Sequence, residues 1–137
     1  MIFDRFKLEM PTFQSKIKVV QGNMKESNLG ISPEEYSLLT SNVNIIFHCA
    51  ATLRFDEELR TAIRTNVCGT QALLNLARKC FQLKCFTYVS TAFSNAYRHN
   101  IDEVIYPPKT HYSQLIPLSK IKSTKDPKYV AAGKRLR

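Results

Sequence analysis

The chain has 137 residues, of which 44% are hydrophobic, so it is one domain or part of one with enough apolar side chains for a core. This composition excludes a globally disordered chain, and no stretch approaches the roughly 20 apolar residues of a membrane-spanning helix. The net charge of +9 is uneven, because residues 1–108 carry 12 Lys and Arg against 10 Asp and Glu, whereas residues 109–137 carry eight against one. We therefore predict a folded part up to residue 108 and a basic, irregular, poorly ordered tail over residues 109–137.

The first predicted elements are a helix and a short strand. Apolar side chains recur at helical spacing over residues 2–10 and stop at Pro11, which predicts the last turns of an amphipathic helix. Residues 17–20 (Ile-Lys-Val-Val) predict a short strand that runs into a turn at Gly22. A second helix is predicted to run to about Thr40, with Ser32 as its N-cap and Glu35 completing a capping box.

A short apolar run over residues 43–47 is typical of a parallel strand that is covered on both faces. It ends in His48 and three small residues, Cys49, Ala50 and Ala51. Ligands of open α/β sheets bind at the carboxyl ends of the strands. This stretch is therefore the first candidate for a binding site.

The longest predicted helix runs from Asp56, as N-cap, to about Lys79. Asn66 lies on its apolar stripe, so we expect its amide to bond a backbone group. Residues 83–89 form the next strand, which ends in Ser90 and Thr91. Alternating strands and helices predict a parallel α/β sheet with both strand ends at the same edge.

The four cysteines show no paired Cys-x-x-Cys spacing, and three of them sit inside apolar elements. Disulfides are one alternative, but we predict reduced, buried thiols in an intracellular protein. Neither cysteine nor histidine spacing suits a zinc site, so no metal is predicted. The first residues contain charges and no long apolar core, so no secretory signal is predicted.

Several motifs occur together and in order. They are Gly-Asn-Met at 22–24, His-Cys-Ala-Ala at 48–51, Arg-Phe-Asp-Glu at 54–57, Thr-Asn-Val-Cys-Gly-Thr at 65–70 and Tyr-Val-Ser-Thr-Ala-Phe-Ser-Asn at 88–95. Together they resemble the alcohol-forming fatty acyl-CoA reductases, insect members most of all, within the extended short-chain dehydrogenase/reductase group. The resemblance covers roughly residues 1–108 and implies a partial NAD(P)-binding Rossmann-type domain, a parallel sheet with flanking helices.

The resemblance implies a set of cofactor-binding residues. Gly22 and Asn23 match the turn that contacts the adenine, where the family usually has Gly-Asp. Ala50 and Ala51 match the small residues beside the nicotinamide ribose, and Asn66 matches a buried structural asparagine. The implied cofactor is NADPH.

The resemblance also implies the catalytic hydroxyl. Thr91, with Ser90 beside it, matches the group that holds the substrate carbonyl. The implied reaction is reduction of a long-chain fatty acyl-CoA to an aldehyde and then to a primary alcohol.

Two parts of such an enzyme are not found in the sequence. No glycine-rich loop precedes Gly22, and none of the six tyrosines has Lys four residues later. We therefore expect a sheet that lacks its first strand–helix–strand unit, a truncated or spliced product, and a chain that is inactive alone.

An alternative function is a non-catalytic binding or regulatory domain that associates with a full-length reductase, or with an anionic membrane through its basic tail. Nucleic acid is not a predicted partner, because the tail carries no recognition motif. An uncovered sheet edge predicts self-association. The resemblance implies a location at the membrane of the endoplasmic reticulum or the peroxisome, although this chain shows neither a targeting nor a transmembrane segment.

Overall fold

A computed structural model describes residues 3–54, 56–108, 110–121 and 125–126. It contains an α/β fold in which a long helix connects two parallel strands. The helices and strands, in chain order, are α1 (Asp4–Glu9), α2 (Pro33–Asn42), β1 (Ile45–His48), α3 (Leu59–Ala62), α4 (Gly69–Lys79) and β2 (Cys85–Tyr88). Short 3₁₀ turns are found at Phe13–Lys16, Ser27–Gly30, Tyr112–Gln114 and Ile116–Lys120.

The two strands pair in parallel, with Ile45 opposite Cys85 and His48 opposite Tyr88. Parallel neighbours cannot be joined by a tight turn, so the chain between them must cross over the sheet. Residues 59–79 supply this crossover as one continuous long helix, in which a π-helical turn, Ile63–Cys68, joins α3 to α4. The predicted parallel α/β sheet is confirmed.

The start of the long helix differs from the prediction. Glu58, and not Asp56, is the residue that precedes α3. The exposed Asp56 carboxylate instead pairs with the Arg54 guanidinium at 3.3 Å.

The core lies between α4 and one face of the sheet. Leu76 and Ala77 of α4, with Cys80 just beyond its C-terminal end, form a buried cluster with Ile46 of β1 and Leu29. Partly buried apolar residues surround this cluster, namely Met24, Ile31, Tyr36, Leu39, Val43, Ala72, Leu73, Leu83 and Phe86. Removing these side chains from water provides the main stabilisation of the sheet and its helix.

Only one face of β1 is covered. Ile46 and His48 are buried, whereas the alternate residues Ile45 and Phe47 remain 49% and 70% exposed. The prediction of a strand covered on both faces is therefore wrong for the described residues, because they place no second layer on the outer face.

Helix α2 begins with Ser32 as its N-cap, as predicted. The backbone N–H of Glu35 donates to the Ser32 hydroxyl at 3.2 Å, and Pro33 occupies the first turn. The helix ends at Asn42, two residues beyond the predicted Thr40. Only two residues separate the end of this helix from the start of β1.

The predicted strand at residues 17–20 is wrong. The only described strands are β1 and β2, and Val19 is 84% exposed. A β-rich sequence without a neighbouring strand to bond has no ladder to join, so these residues stay irregular. The predicted helix before them is confirmed as α1, and Phe3 stacks on Phe13 with ring centroids 6.0 Å apart.

The described part of the predicted tail turns back onto the long helix. The turn Ile116–Lys120 packs against α3 and the π-helical turn, where Leu118 is buried. The Arg60 guanidinium donates to the backbone oxygen of Ile121 at 3.0 Å. Residues 122–124 and 127–137 lie outside the described residues.

All four cysteines are free thiols, but they do not share one environment. Cys80 is buried and Cys68 is partly buried, whereas Cys49 and Cys85 are exposed. The prediction of buried thiols is wrong for those two, because Cys49 follows the strand end and Cys85 lies on the outer sheet face. Within the described ranges, no helix is long and apolar enough to cross a membrane.

Gly69 allows two segments to approach closely. A Cβ atom at this position would lie 2.7 Å from the backbone oxygen of Met24 and 2.7 Å from its Cε. The segment that precedes the turn Ser27–Gly30 therefore packs directly on the start of α4. The left-handed backbone of Asn28 and Leu29, with φ of 50° and 63°, then directs Leu29 into the core.

We expect Gly69→Ala to lower the free energy of unfolding by about 1–3 kcal/mol, because its methyl group would collide with the Met24 backbone. Helix propensity alone would raise it by roughly 1 kcal/mol, so the two effects have opposite signs. Urea denaturation of the purified chain measures the difference. Asn75→Ala, on the exposed face of α4, is the matched control and should not destabilise; an equal or higher stability of Gly69→Ala would contradict the close packing.

Candidate functional site

The carboxyl ends of β1 and β2 lie side by side. The last described bond of the ladder runs from the Val89 N–H to the His48 carbonyl at 2.9 Å. Because the strands are parallel and in register, residues 49–51 and 90–91 leave the sheet at the same edge. The sequence predicted that these two segments would meet there, and the register places them together.

The first segment presents small, exposed residues. Ala50 and Ala51 are exposed and follow His48 directly. The segment is anchored at its far end, because the Thr52 N–H donates to Asn66 Oδ1 at 2.9 Å. The prediction that Asn66 bonds a backbone group is therefore confirmed.

The second segment presents two hydroxyl groups, those of Ser90 and Thr91, both in exposed residues. Thr91 Oγ1 accepts a hydrogen bond from the Phe93 N–H at 3.2 Å, which fixes the start of the following turn. This bond uses an oxygen lone pair of Thr91, so the hydroxyl proton can still be donated to a ligand oxygen.

Gly22 and Asn23 form a separate turn. The Asn23 N–H donates to the Leu29 carbonyl at 2.6 Å, and its side-chain oxygen accepts from the Lys25 N–H at 3.0 Å. A Cβ at Gly22 would lie 3.1 Å from the Leu29 oxygen, so a small residue suits this position. Met24, which follows this turn, packs against Gly69 at the start of α4. The sheet edge is formed by other predicted site residues, namely Ala50, Ala51, Ser90 and Thr91.

Sequence reasoning missed His48 as a site residue. Its side chain is only 1% exposed, and Nε2 lies 2.8 Å from the Thr70 hydroxyl oxygen. The Thr70 hydroxyl in turn donates to the backbone oxygen of Asn66 at 2.7 Å. The available signal was the alternation of the strand, since His48 follows the buried Ile46 by two residues and therefore shares its face.

Burial lowers the pKa of His48 from its ordinary value of 6.5. The cause is desolvation, because the ring packs against Tyr88, with centroids 5.1 Å apart, and loses the water that would stabilise its charged form. The imidazole is consequently neutral at physiological pH, immediately before the exposed segment.

This arrangement suits a nicotinamide cofactor. The sheet edge exposes the backbone of two small residues, Ala50 and Ala51, and the asparagine on the helix bonds the Thr52 amide that follows them. No group of three or more His, Cys, Asp or Glu within the described part of the chain could hold a metal ion. The open carboxyl edge of a parallel sheet, with a crossover helix behind it, is the arrangement of a dinucleotide-binding α/β protein.

Comparison with known proteins assigns the family. Residues 2–133 match the NAD-binding family described as male sterility protein, and the chain belongs to that family. The match continues past residue 108, where the resemblance was predicted to end. Residues 109–133, most of the predicted tail, are therefore also similar to the family.

The chain is also similar to fatty acyl-CoA reductases, as the motifs indicated. It is 42% identical to fatty acyl-CoA reductase 1 of Homo sapiens over 115 residues, which is 84% of this chain and 22% of that protein. It is 43% identical to fatty acyl-CoA reductase 2 of Bos taurus over 106 residues, which is 77% of this chain and 21% of that protein. The chain thus spans about a fifth of the length of the curated relatives it matches.

The lowered pKa of His48 predicts that stability depends on pH. Between the folded-state pKa and 6.5, the unfolded chain binds a proton more readily than the folded chain, so the free energy of unfolding rises with pH. We expect the urea midpoint to fall as the pH is lowered from about 7.5 to about 5.5. His48→Gln, which cannot titrate, should flatten this dependence, and an unchanged slope in that variant would contradict the assignment to His48.

Proposed function

We propose that this chain forms the cofactor and substrate edge of a fatty acyl-CoA reductase, which uses NADPH to reduce a long-chain fatty acyl-CoA to a primary alcohol. The observation that carries the proposal is the register of β1 and β2. It supports placing a small-residue segment and a hydroxyl-bearing segment side by side at one sheet edge. The identity to fatty acyl-CoA reductases supports the substrate class.

In this proposal, one segment serves the cofactor. Ala50 and Ala51 leave room for the nicotinamide ribose, and the bond from Thr52 to Asn66 keeps their backbone in position. The turn at Gly22 and Asn23 contacts the adenine. NADPH, when bound, supplies the hydride, and the protein supplies orientation.

The other segment serves the substrate. Thr91 donates its hydroxyl proton in a hydrogen bond to the carbonyl oxygen, which gains negative charge as the hydride arrives. Ser90 lies one residue closer to the strand and is the second candidate donor. The same hydroxyl serves both reductions, because the acyl thioester and the aldehyde each present a carbonyl oxygen.

The proposal also covers location and association. We place the protein at the membrane of the endoplasmic reticulum or the peroxisome, in line with the family resemblance. The basic charge of residues 109–137 supports contact with anionic lipid. The exposed outer face of β1 and the two-stranded sheet support self-association.

Titration of the ¹⁵N-labelled chain with NADPH tests the cofactor assignment. We expect amide shifts concentrated at residues 50–52 and 90–91, with weaker binding of NADH. Ala51→Leu should raise the Kd about tenfold or more by filling the ribose space, whereas Ala96→Leu, the same change in an exposed turn, should not. Shifts that avoid the sheet edge, or equal effects of the two leucines, would overturn the assignment.

Turnover tests whether this chain acts alone. The sequence contains neither a glycine-rich phosphate loop before Gly22 nor a Tyr-x-x-x-Lys pair, so we expect no acyl-CoA-dependent oxidation of NADPH by the purified 137-residue chain. The rate is measured as the decrease in NADPH absorbance in the presence of a long-chain acyl-CoA. A rate well above that of a Thr91→Val chain would show that the chain contains a complete catalytic site.

A further inference from the structure

We propose that His48 is a positioning residue that sets the backbone of residues 49–52 through Thr70 and Asn66. The role of this backbone in binding the nicotinamide rests on the proposed function. The positioning itself is a property of the fold, and it can be measured without the cofactor.

The hydrogen bonds determine where the imidazole proton lies. The Thr70 hydroxyl has one proton, and the backbone oxygen of Asn66, 2.7 Å away, can only accept it. The Thr70 oxygen must then accept from His48, whose Nε2 is 2.8 Å away. The His48 ring therefore carries its proton on Nε2, and Nδ1 is a bare acceptor.

The hydrogen bonds from His48 to Thr70 and from Thr70 to Asn66, together called the relay, connect His48 to the segment that follows it. Thr70 fixes the Asn66 backbone through its carbonyl, and the Asn66 side chain accepts from the Thr52 N–H at 2.9 Å. The segment is thus held at both ends by the same helix, at its start through the His48 ring and at its end through the Thr52 amide. Cys49, Ala50 and Ala51 lie between these anchors and are exposed.

The position of Asn66 within a π-helical turn supports this role. The turn Ile63–Cys68 interrupts the α-helical pattern of the long helix at the point where Asn66 bonds the segment. Such turns alter the direction of side chains and occur frequently at functional sites. Thr70 lies one residue beyond Gly69, in the first turn of α4, so it follows the interruption closely.

His48 is also a costly choice for a purely structural residue. Nδ1 is buried and has no hydrogen-bond partner among the residues that the structure describes. An apolar side chain would fill this part of the core without an unsatisfied acceptor, which costs roughly 1–3 kcal/mol. What an apolar side chain could not supply is the donor to Thr70, and the relay depends on that donor.

Two matched pairs of variants test the relay in the 137-residue chain. Thr70→Val removes the hydroxyl with little change of shape, whereas Thr70→Ser keeps it. His48→Leu removes the ring donor, whereas His48→Gln keeps an N–H near the position of Nε2. The readouts are the ring ¹⁵N shifts of His48 and the hydrogen exchange rate of the Thr52 amide.

We expect Thr70→Val and His48→Leu to speed Thr52 exchange about tenfold, and their conservative partners to change it by less than about twofold. The Lys84 amide, which donates to Asn44 at 2.7 Å at the opposite end of the sheet, is the internal reference and should not change. The ring shifts should show Nε2 protonated and Nδ1 bare.

Three results would each overturn the proposal: unchanged Thr52 exchange in Thr70→Val, equal acceleration at Lys84, or a ring protonated on Nδ1. If His48→Leu fails to fold, the Thr70 pair decides alone. The Kd for NADPH should rise about tenfold in Thr70→Val and stay near its original value in Thr70→Ser. Failure of the unsubstituted chain to bind NADPH would overturn the proposed function. The positioning role of His48 would then still be tested by the exchange rate of the Thr52 amide, which is measured without the cofactor.

Discussion

The packing of α4 against the inner face of the sheet is the contact on which the rest of the structure depends. Two parallel strands have no turn of their own to hold them together, so their register is maintained by the crossover helix and the apolar contacts beneath it. Leu76 and Ala77 of the helix, and Cys80 just after it, meet Ile46 of β1, and Leu29 completes the cluster. The alignment of the two strand ends, and with it the candidate site, follows from this contact.

Polar contacts add precision where apolar packing ends. His48 occupies the last inner position of β1, where its ring can reach the helix and begin the chain of bonds through Thr70 and Asn66. Hydrogen bonds have defined directions and hydrophobic contacts do not, so only the former can set the course of an exposed backbone. Gly69, next to Thr70, meanwhile lets the loop at Met24 approach the helix.

The outer face of the sheet shows what this arrangement leaves uncovered. Ile45 and Phe47 point away from α4 and remain exposed, although their residue types suit a buried strand. The family match and the motifs describe a dinucleotide-binding domain, and the chain spans about a fifth of the relatives' length. An exposed apolar face of this kind promotes aggregation of a purified protein.

The sequence by itself determined the elements whose signals are local. Ser32 as a helix cap, the parallel strand order and a backbone bond to Asn66 were all predicted, because caps and periodicity can be recognised within a few residues, and a polar amide on an apolar stripe requires a hydrogen-bond partner whichever segment supplies it. Only the tertiary structure decided that residues 17–20 form no strand and that β1 is covered on one face, since both depend on whether a partner lies alongside. It also decided which atom pairs with His48, because alternation assigns a side chain to a face, whereas the hydrogen-bond partner comes from a helix 22 residues further along the chain.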